Sequence, residues 1–396
     1  MSLDALRDAA RAIDSDPIAD LTLDLLRIWS PPGSEAAMAE RMADELTAAG
    51  ARVRLDSEFP SSPSVIAELG AREGEGPTIQ WHGHLDAIDV EHTAPERRDG
   101  VLVGRGSADM KGPDAAMVAA IRLLREHGLP ERGRILVTLH GMHESGGNEP
   151  LHALIARGIH GDAVITGELG GGVHLPIAGL GLTFWEIVVE RPGMALHETV
   201  VPPETVDPVE VGRLVHADLV ALRERLAATP GDAAAGDDSR PSLFVAKFVS
   251  GDYYNRLPVR AELAGTRRHD ESSDLAAVAA ELEELVNRVR QATDAPIELK
   301  AVPIAEAFSV DPSEPLVRAT VDAHRDLFGR ELRLSRSRVA TNAVHFVLEA
   351  GIPAVGYGPD PATNHSDREV LPVTELSRIA AGFALASAYY LDRAGR

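Results

Sequence analysis

Thr183-Phe184-Trp185-Glu186-Ile187-Val188-Val189-Glu190 reads as a strand, and it marks the point where the chain changes pattern. Beyond it come a long helix over Pro208–Ala228, strands over Ser242–Ser250 and Val259–Thr266, a helix over Ser273–Ala292 and a strand over Ile297–Val302. That order, β-α-β-β-α-β, is the split unit of a ferredoxin-like sandwich. Upstream the pattern differs. Residues 3–29 carry apolar side chains at helical spacing up to the loop Ser30-Pro31-Pro32-Gly33. Ser34 is placed to cap a second helix that stacks Met38, Met42 and Leu46 on one side. Short apolar runs at Val53–Leu55, Val65–Leu69 and Thr78–His82 follow. Then a helix near Ala115–Glu126, a strand at Arg134–His140, a helix near Glu149–Arg157 and a strand at Ala163–Thr166 alternate. Such alternation predicts an α/β fold with a mixed, mostly parallel sheet flanked by helices. After residue 303 the first pattern returns, with helices at Pro315–Leu327 and Thr341–Ala350, a short strand at Pro353–Gly356 and a closing helix from Val373. The expected division is one α/β domain built from residues 1–180 and 303–396, interrupted by an inserted α+β domain over residues 181–302. The acidic run Gly231–Asp238 reads as a solvated loop.

Composition narrows the function classes. Hydrophobic residues make up 44% and charged residues 25% of the 396-residue chain, an ordinary globular mix. Acids outnumber bases 61 to 39, for a formal charge of −22, which argues against a nucleic-acid backbone or an anionic membrane surface as partner. Cysteine is absent, so thiolate catalysis, iron–sulfur clusters and cysteine-ligated zinc are excluded. Any metal must be held by histidine and carboxylate. The opening Met1-Ser2-Leu3-Asp4-Ala5-Leu6-Arg7-Asp8 lacks the basic start and apolar core of a signal peptide. No run reaches the roughly 18 apolar residues of a membrane span. A cytoplasmic protein with no nucleic-acid or membrane partner is expected.

Five polar loops stand out. Trp81-His82-Gly83-His84-Leu85-Asp86 ends an apolar strand, and period 2 puts His82, His84 and Asp86 on one side. A histidine two residues from an aspartate suits a metal ligand with its orienting carboxylate, or a hydrogen-bonded core histidine. Gly104-Arg105-Gly106-Ser107-Ala108-Asp109-Met110-Lys111-Gly112 is either a turn with a helix-start aspartate or a carboxylate on a tight loop at the carboxyl end of the sheet. Leu139-His140-Gly141-Met142-His143-Glu144-Ser145 and Thr166-Gly167-Glu168 each follow a strand, and Thr363-Asn364-His365-Ser366-Asp367-Arg368-Glu369 lies in a late loop. Together His84, Asp109, Glu144, Glu168 and His365 supply two imidazoles and three carboxylates. That set fits a dinuclear Zn²⁺, Mn²⁺ or Co²⁺ site. Two metals ~3.5–4 Å apart, bridged by a carboxylate and a water, generate a hydroxide nucleophile near neutral pH.

The order, spacing and local sequences of these loops resemble the co-catalytic metallopeptidase family of acetylornithine deacetylase, succinyl-diaminopimelate desuccinylase, aminoacylase and glutamate carboxypeptidase. The resemblance is carried by Gly83-His84-Leu85-Asp86, by Gly104 to Gly112, and by Gly358-Pro359 with His365 and Glu369. It implies that the insert is a lid that also forms a homodimer. It further implies that Asp109 bridges two divalent ions, Zn²⁺ foremost. His84 and Glu168 would hold one ion, Glu144 and His365 the other, and Asp86 would orient His84. Gly193-Met194-Ala195-Leu196-His197 resembles a lid segment whose histidine stabilises a tetrahedral oxyanion. Asn255-Arg256-Leu257-Pro258 and Arg268 resemble a clamp on a substrate carboxylate. The implied activity is hydrolysis of an amide-type C–N bond in a small carboxylate-bearing substrate, such as an N-acyl amino acid or dipeptide.

Three departures bear on mechanism. His143 stands where the family usually has a carboxylate base, Asn342 replaces an acid common in its loop, and Leu169-Gly170-Gly171-Gly172 replaces a usual Pro-Thr after Glu168. His143 admits three readings. It is itself the base, since an imidazole near pKa ~6.5 beside dications stays neutral. It marks hydrolytic deamination of an amino-substituted acid, aromatic or not, shuttling a proton to the leaving nitrogen. Or it marks lost catalysis in a metal-dependent carboxylate-binding protein. Tyr253 and Tyr254 read as packed lid tyrosines or as pocket lining.

Overall fold

The computed structural model describes residues 3–72, 74–228 and 240–394; the acidic run at 231–238 lies outside the described residues. The strands in chain order are β1 (Arg52–Asp56), β2 (Ser64–Gly70), β3 (Thr78–His84), β4 (Arg134–His140), β5 (Ala163–Gly170), β6 (Gly181–Glu190), β7 (Ser242–Ser250), β8 (Arg260–His269), β9 (Ile297–Ala305) and β10 (Ala354–Gly358), with shorter ones between. The chain divides into two compact units. One comprises residues 1–177, 310–335 and 341–396, the other 178–309 and 336–340. The exchange points lie outside the expected 181–302 because Phe308 and Ser309 still pair with Gly179 and Ala178.

In the first unit the central sheet has the order β1-β2-β4-β3-β5-β10. β1 pairs with β2 and β2 with β4 antiparallel, whereas β4–β3, β3–β5 and β5–β10 are parallel. All residues of β3 and β4 are buried, as central strands covered on both faces must be. One face packs against a core that includes Trp81, Ile121 and Phe383, and the other carries a smaller cluster of Ile66, Leu136 and Leu154. A mixed, mainly parallel α/β sheet is therefore the observed architecture. Parallel strands all end on one edge, where His84 closes β3, the loop at 141–144 follows β4, and Glu168 stands near the end of β5.

Two local readings change. Residues 3–29 form two helices, Leu3–Arg11 and Ser15–Leu26, because Asp14 is extended and its carboxylate caps the Asp16 N–H. Ser34 does not cap the next helix, which spans Ala36–Ala49 after Glu35. Glu35 instead accepts from the Gly33 N–H at 2.9 Å and the Met142 N–H at 2.8 Å, tying this helix start to the loop after β4. Residue 141 must be glycine, since a Cβ there would lie 2.4 Å from the Glu35 carboxyl carbon.

The second unit has an antiparallel sheet of order β7-β8-β6-β9. Helices Pro208–Ala227 and Leu275–Thr293 cover one face. Their Val211, Val215, Leu219, Val278, Leu282 and Val286 pack on Trp185, Ile187, Val189, Leu263 and Ile297. This is the β-α-β-β-α-β sandwich expected from sequence. On the opposite face, Phe244, Thr266, Phe184 and Val302 fall in one cross-strand row, and Phe244 and Phe184 are exposed.

Candidate metal centre

His84 ends β3 and is fully buried. Its Nε2 lies 3.1 Å from Asp109 Oδ1 and 3.7 Å from Glu168 Oε1. Its Nδ1 lies 3.0 Å from the Asp86 carbonyl oxygen and 3.5 Å from the Asp86 carboxylate. The main-chain carbonyl is thus the nearer orienting partner of His84. The Asp86 carboxylate instead accepts the Glu144 N–H at 2.7 Å and so ties the loops after β3 and β4 together. Asp109 sits on the tight turn Ser107–Lys111 before the helix Gly112–Glu126. Its second oxygen lies 3.3 Å from His365 Nε2, which is also 3.1 Å from Glu144 Oε1. The turn is held by Glu369, whose buried carboxylate accepts the N–H groups of Gly106, Ala108 and Asp109 at 2.9, 2.9 and 3.1 Å and lies 3.3 Å from Arg105.

Replacing Glu369 by alanine would leave these N–H groups unpaired and a buried guanidinium without its carboxylate, only the Ser366 carbonyl remaining to it. We expect ~3–5 kcal/mol lower stability, read as a reduced urea midpoint, and ~10–100-fold weaker metal affinity.

All five donors named from the sequence therefore converge. His84, Asp109 and Glu144 form one group of potential ligand atoms within 4.8 Å of one another. His84, His143 and Glu168 form another, so His143 joins the cluster. Its Nε2 is 3.5 Å from Glu168 Oε1, and its ring stacks on His84 with centroids 4.3 Å apart.

The charges are mutually adjusted. Burial opposes the charged form of His84, but hydrogen bonds and charge from Asp109 and Asp86 outweigh it and hold the imidazole well above its usual value. Hydrogen bonds to Asp109 and Glu144 push His365 up to about 10. Burial works against the Asp109 carboxylate, yet His365 and His84 hold it below the usual range. Asp86 likewise overcomes burial through His84 and is pulled down to about 2. Burial raises Glu168, and its Oε2 has no hydrogen-bond partner. Two imidazoles held in their protonated form thus balance the negative charge of the clustered carboxylates.

A divalent ion captured at neutral pH must displace those protons, so uptake should release protons and apparent affinity should rise with pH. The metal-free fold has the opposite sign. The stabilisation from His365, with an ordinary value of 6.5, is fully present below that pH and is lost as pH rises through about 10. Calorimetric zinc titrations in two buffers of different ionisation enthalpy check this through the buffer-dependent heat.

In the second unit, His197 and Asn255 come together, with Asn255 Nδ2 2.9 Å from His197 Nε2 across the pairing of Leu196–His197 with Arg256–Leu257. His197 is exposed. Arg268 lies on β8 opposite Leu182, and its Nη1 is buried without a hydrogen-bond partner. Tyr254 is 99% exposed, and Tyr253 is exposed too, so neither is a packed lid tyrosine.

Sequence reading missed several residues around the cluster. Asn364 donates to Asp109 Oδ2 at 2.9 Å. Asn342 contacts His143 Nδ1 at 3.0 Å and also meets His82 and His140. Asn148 reaches His143 Nδ1 at 3.2 Å. Only Asn364, beside His365, lay in a segment already singled out for ligands.

Known proteins resemble the chain over most of its length. The model of the family described as "Peptidase family M20/M25/M40" matches residues 81–389. The succinyl-diaminopimelate desuccinylase of Caulobacter vibrioides (strain NA1000 / CB15N) is 27% identical over 396 residues, covering 96% of this chain and 97% of that protein. The N-formyl-4-amino-5-aminomethyl-2-methylpyrimidine deformylase of Bacillus subtilis (strain 168) is 24% identical over 356 residues, 80% of each chain. Among solved structures, aminopeptidase PepT from Bacillus cereus ATCC 10987 superposes with a TM-score of 0.76 at 20% identity, covering 96% of this chain and 99% of that one. That likeness concerns the fold.

Proposed function

With the chain a member of peptidase family M20/M25/M40, and so a metal-dependent hydrolase of amide-type C–N bonds, we propose that it cleaves a small carboxylate-bearing amide, such as an N-acyl amino acid or dipeptide. The observation that supports this substrate class is the Arg268 guanidinium, whose Nη1 is buried with no partner. A buried guanidinium nitrogen left without a partner is costly, and a carboxylate is the acceptor that suits it. Names among the relatives include a deformylase and a desuccinylase, which favours amide cleavage over deamination.

The donor set fits two divalent ions, with imidazole and carboxylate suiting Zn²⁺ foremost and Mn²⁺ or Co²⁺ as well. Asp109 would be shared, His84 and Glu168 would complete one position, and Glu144 and His365 the other. When bound, such ions supply Lewis acidity that polarises an amide carbonyl and lowers the pKa of water. Asp86 fixes the Glu144 main chain and backs His84. His143 accepts the proton released as water attacks and returns it to the leaving nitrogen; its Nε2 lies 3.5 Å from Glu168 Oε1. His197, held by Asn255, is assigned to the carbonyl oxygen as charge develops there. The proposal includes a cytoplasmic homodimer joined through the second unit, in line with the exposed Phe244–Phe184 row on its open sheet face. No helix among the described residues is long and apolar enough to cross a membrane.

Arg268 gives the direct check. Arg268→Met should raise KM for an N-acyl amino acid ~10-fold or more, since a charge-assisted bond is worth ~1.5–3 kcal/mol. It should have little effect on the corresponding C-terminal carboxamide. Equal effects on both substrates would remove Arg268 from carboxylate recognition.

A further inference from the structure

The orientation of His143 follows from two hydrogen-bond chains that begin on groups whose donor or acceptor roles are fixed. His140 Nδ1 lies 2.7 Å from the Gly141 carbonyl oxygen, which can only accept, so Nδ1 carries the proton. His140 is fully buried. A second proton would make it a buried cation with no carboxylate bonded to it, so its Nε2 is a bare lone pair. Asn342 faces that nitrogen at 3.0 Å and must present its NH₂ there. The same NH₂ lies 3.2 Å from Nε2 of buried His82. His82 Nδ1 sits 2.9 Å from the Thr138 hydroxyl, which also takes the Gln80 amide N–H at 2.6 Å. With both amide hydrogens used, the Asn342 carbonyl oxygen points the other way, 3.0 Å from His143 Nδ1.

The second chain starts at a carboxylate. His345 Nδ1 lies 2.7 Å from Glu349 Oε1, so that nitrogen donates, and in the neutral ring Nε2 accepts. Asn148 therefore turns its NH₂ toward His345 Nε2, at 3.5 Å, and its carbonyl oxygen toward His143 Nδ1, at 3.2 Å. Both chains place an acceptor on His143 Nδ1. Amide orientation and the place of the Nδ1 proton follow from the network as a whole, because the opposite amide orientation would set N–H against N–H at His140.

We infer that Asn342, seconded by Asn148, is a positioning residue that locks His143 in its Nδ1–H tautomer and aims the Nε2 lone pair at the carboxylate cluster. This deepens the role of His143 proposed above and rests on it for its consequence in turnover. The geometry gives a reason for asparagine at position 342. Its carbonyl serves His143, while its two N–H groups serve two neutral histidines. A carboxylate there would leave His82 and His140 without donors.

The test is the ¹⁵N spectrum of the imidazoles in the deuterated full-length protein, metal-free and zinc-loaded, with the His143 signals identified by their loss in His143→Gln. The expected result is a protonated Nδ1 for His143 in both states, with Nε2 unprotonated once zinc is bound. A proton on Nε2 with a bare Nδ1 overturns the inference. That readout needs no turnover, so it separates the tautomer from the base role: full activity in a His143→Ala variant would remove the base and leave the tautomer standing. Steady-state kinetics add a second arm. Asn342→Leu should lower kcat ~10–100-fold with KM and bound zinc unchanged. Asn342→Asp, which keeps an acceptor for His143, should recover part of that loss. An Asn342→Leu enzyme that folds, binds zinc and keeps wild-type kcat would overturn the positioning role.

Discussion

Changing His143 to alanine should lower kcat by at least ~10²-fold, and by up to ~10⁴-fold, while both metals stay bound. The expectation comes from the ring's place. Its Nε2 lies 3.5 Å from Glu168 and its face stacks on His84, so it is within the donor cluster. Among the five donors, however, the closest contacts are made without it, through His84–Asp109 and through His365 with Asp109 and Glu144. A proton acceptor and a third imidazole ligand therefore predict different outcomes for one variant. Loss of the acceptor lowers kcat with metal content intact, and KM moves little because the imidazole acts on the reacting proton. Loss of a ligand lowers metal content in proportion to activity. Elemental analysis of the purified variant beside its kinetics decides between them. His143→Glu sharpens the result, since it restores the carboxylate that the resemblance leads one to expect. Higher activity on simple N-acyl amino acids in that variant would mean that His143 is tuned to a narrower substrate.

A larger loss is expected for Asp109→Ala. Its two oxygens reach His84 and His365 separately, at 3.1 and 3.3 Å, so it is the residue that joins the two halves of the cluster. Without it, the retained acids Glu144 and Glu168 no longer share a centre. Metal catalysis is worth several kcal/mol, and each 1.36 kcal/mol is tenfold, so activity should fall by more than ~10³-fold. The variant should also lose most of the thermal shift that zinc gives the wild type. That shift is an equilibrium linkage, ~2.7 kcal/mol at a metal concentration 100 times Kd, and it is read by calorimetry without any substrate. The variant should still fold when metal-free, because Glu369 holds the turn through main-chain N–H groups that do not depend on the Asp109 side chain.

Much of the architecture was legible from periodicity. The fully buried runs of β3 and β4 and the β-α-β-β-α-β order of the second unit need only local patterns, and both are present. Local breaks were harder to read. Asp14 interrupts what looks like one helix by capping Asp16, a two-residue event inside an apolar stripe. Glu35 displaces Ser34 because it answers to Met142, more than a hundred residues away. The same contrast runs through the site. Its five donors were visible because each follows a glycine-marked loop. The residues that orient them were not. Asn342 and Asn148 carry no ligand's signature, and His82 and His140, though inside segments singled out from sequence, meet Asn342 only after folding. Asn342 stood out solely as a departure from the resembled pattern, and it turned out to touch the other departure, His143. Glu369 appeared in a motif without a role, which the structure supplies through three main-chain N–H groups.

The most direct test of metal-dependent amide hydrolysis is one turnover experiment on protein of measured metal content. Enzyme stripped by a chelator and reloaded with zinc, manganese or cobalt is given a panel of N-acyl amino acids and dipeptides, with acid, amine and ammonia resolved among the products. The expected result is equimolar acid and amine from at least one carboxylate-bearing amide, only after reloading and saturating near two ions per chain. Ammonia as the sole nitrogen product, or two bound ions with no turnover across the panel, would contradict it.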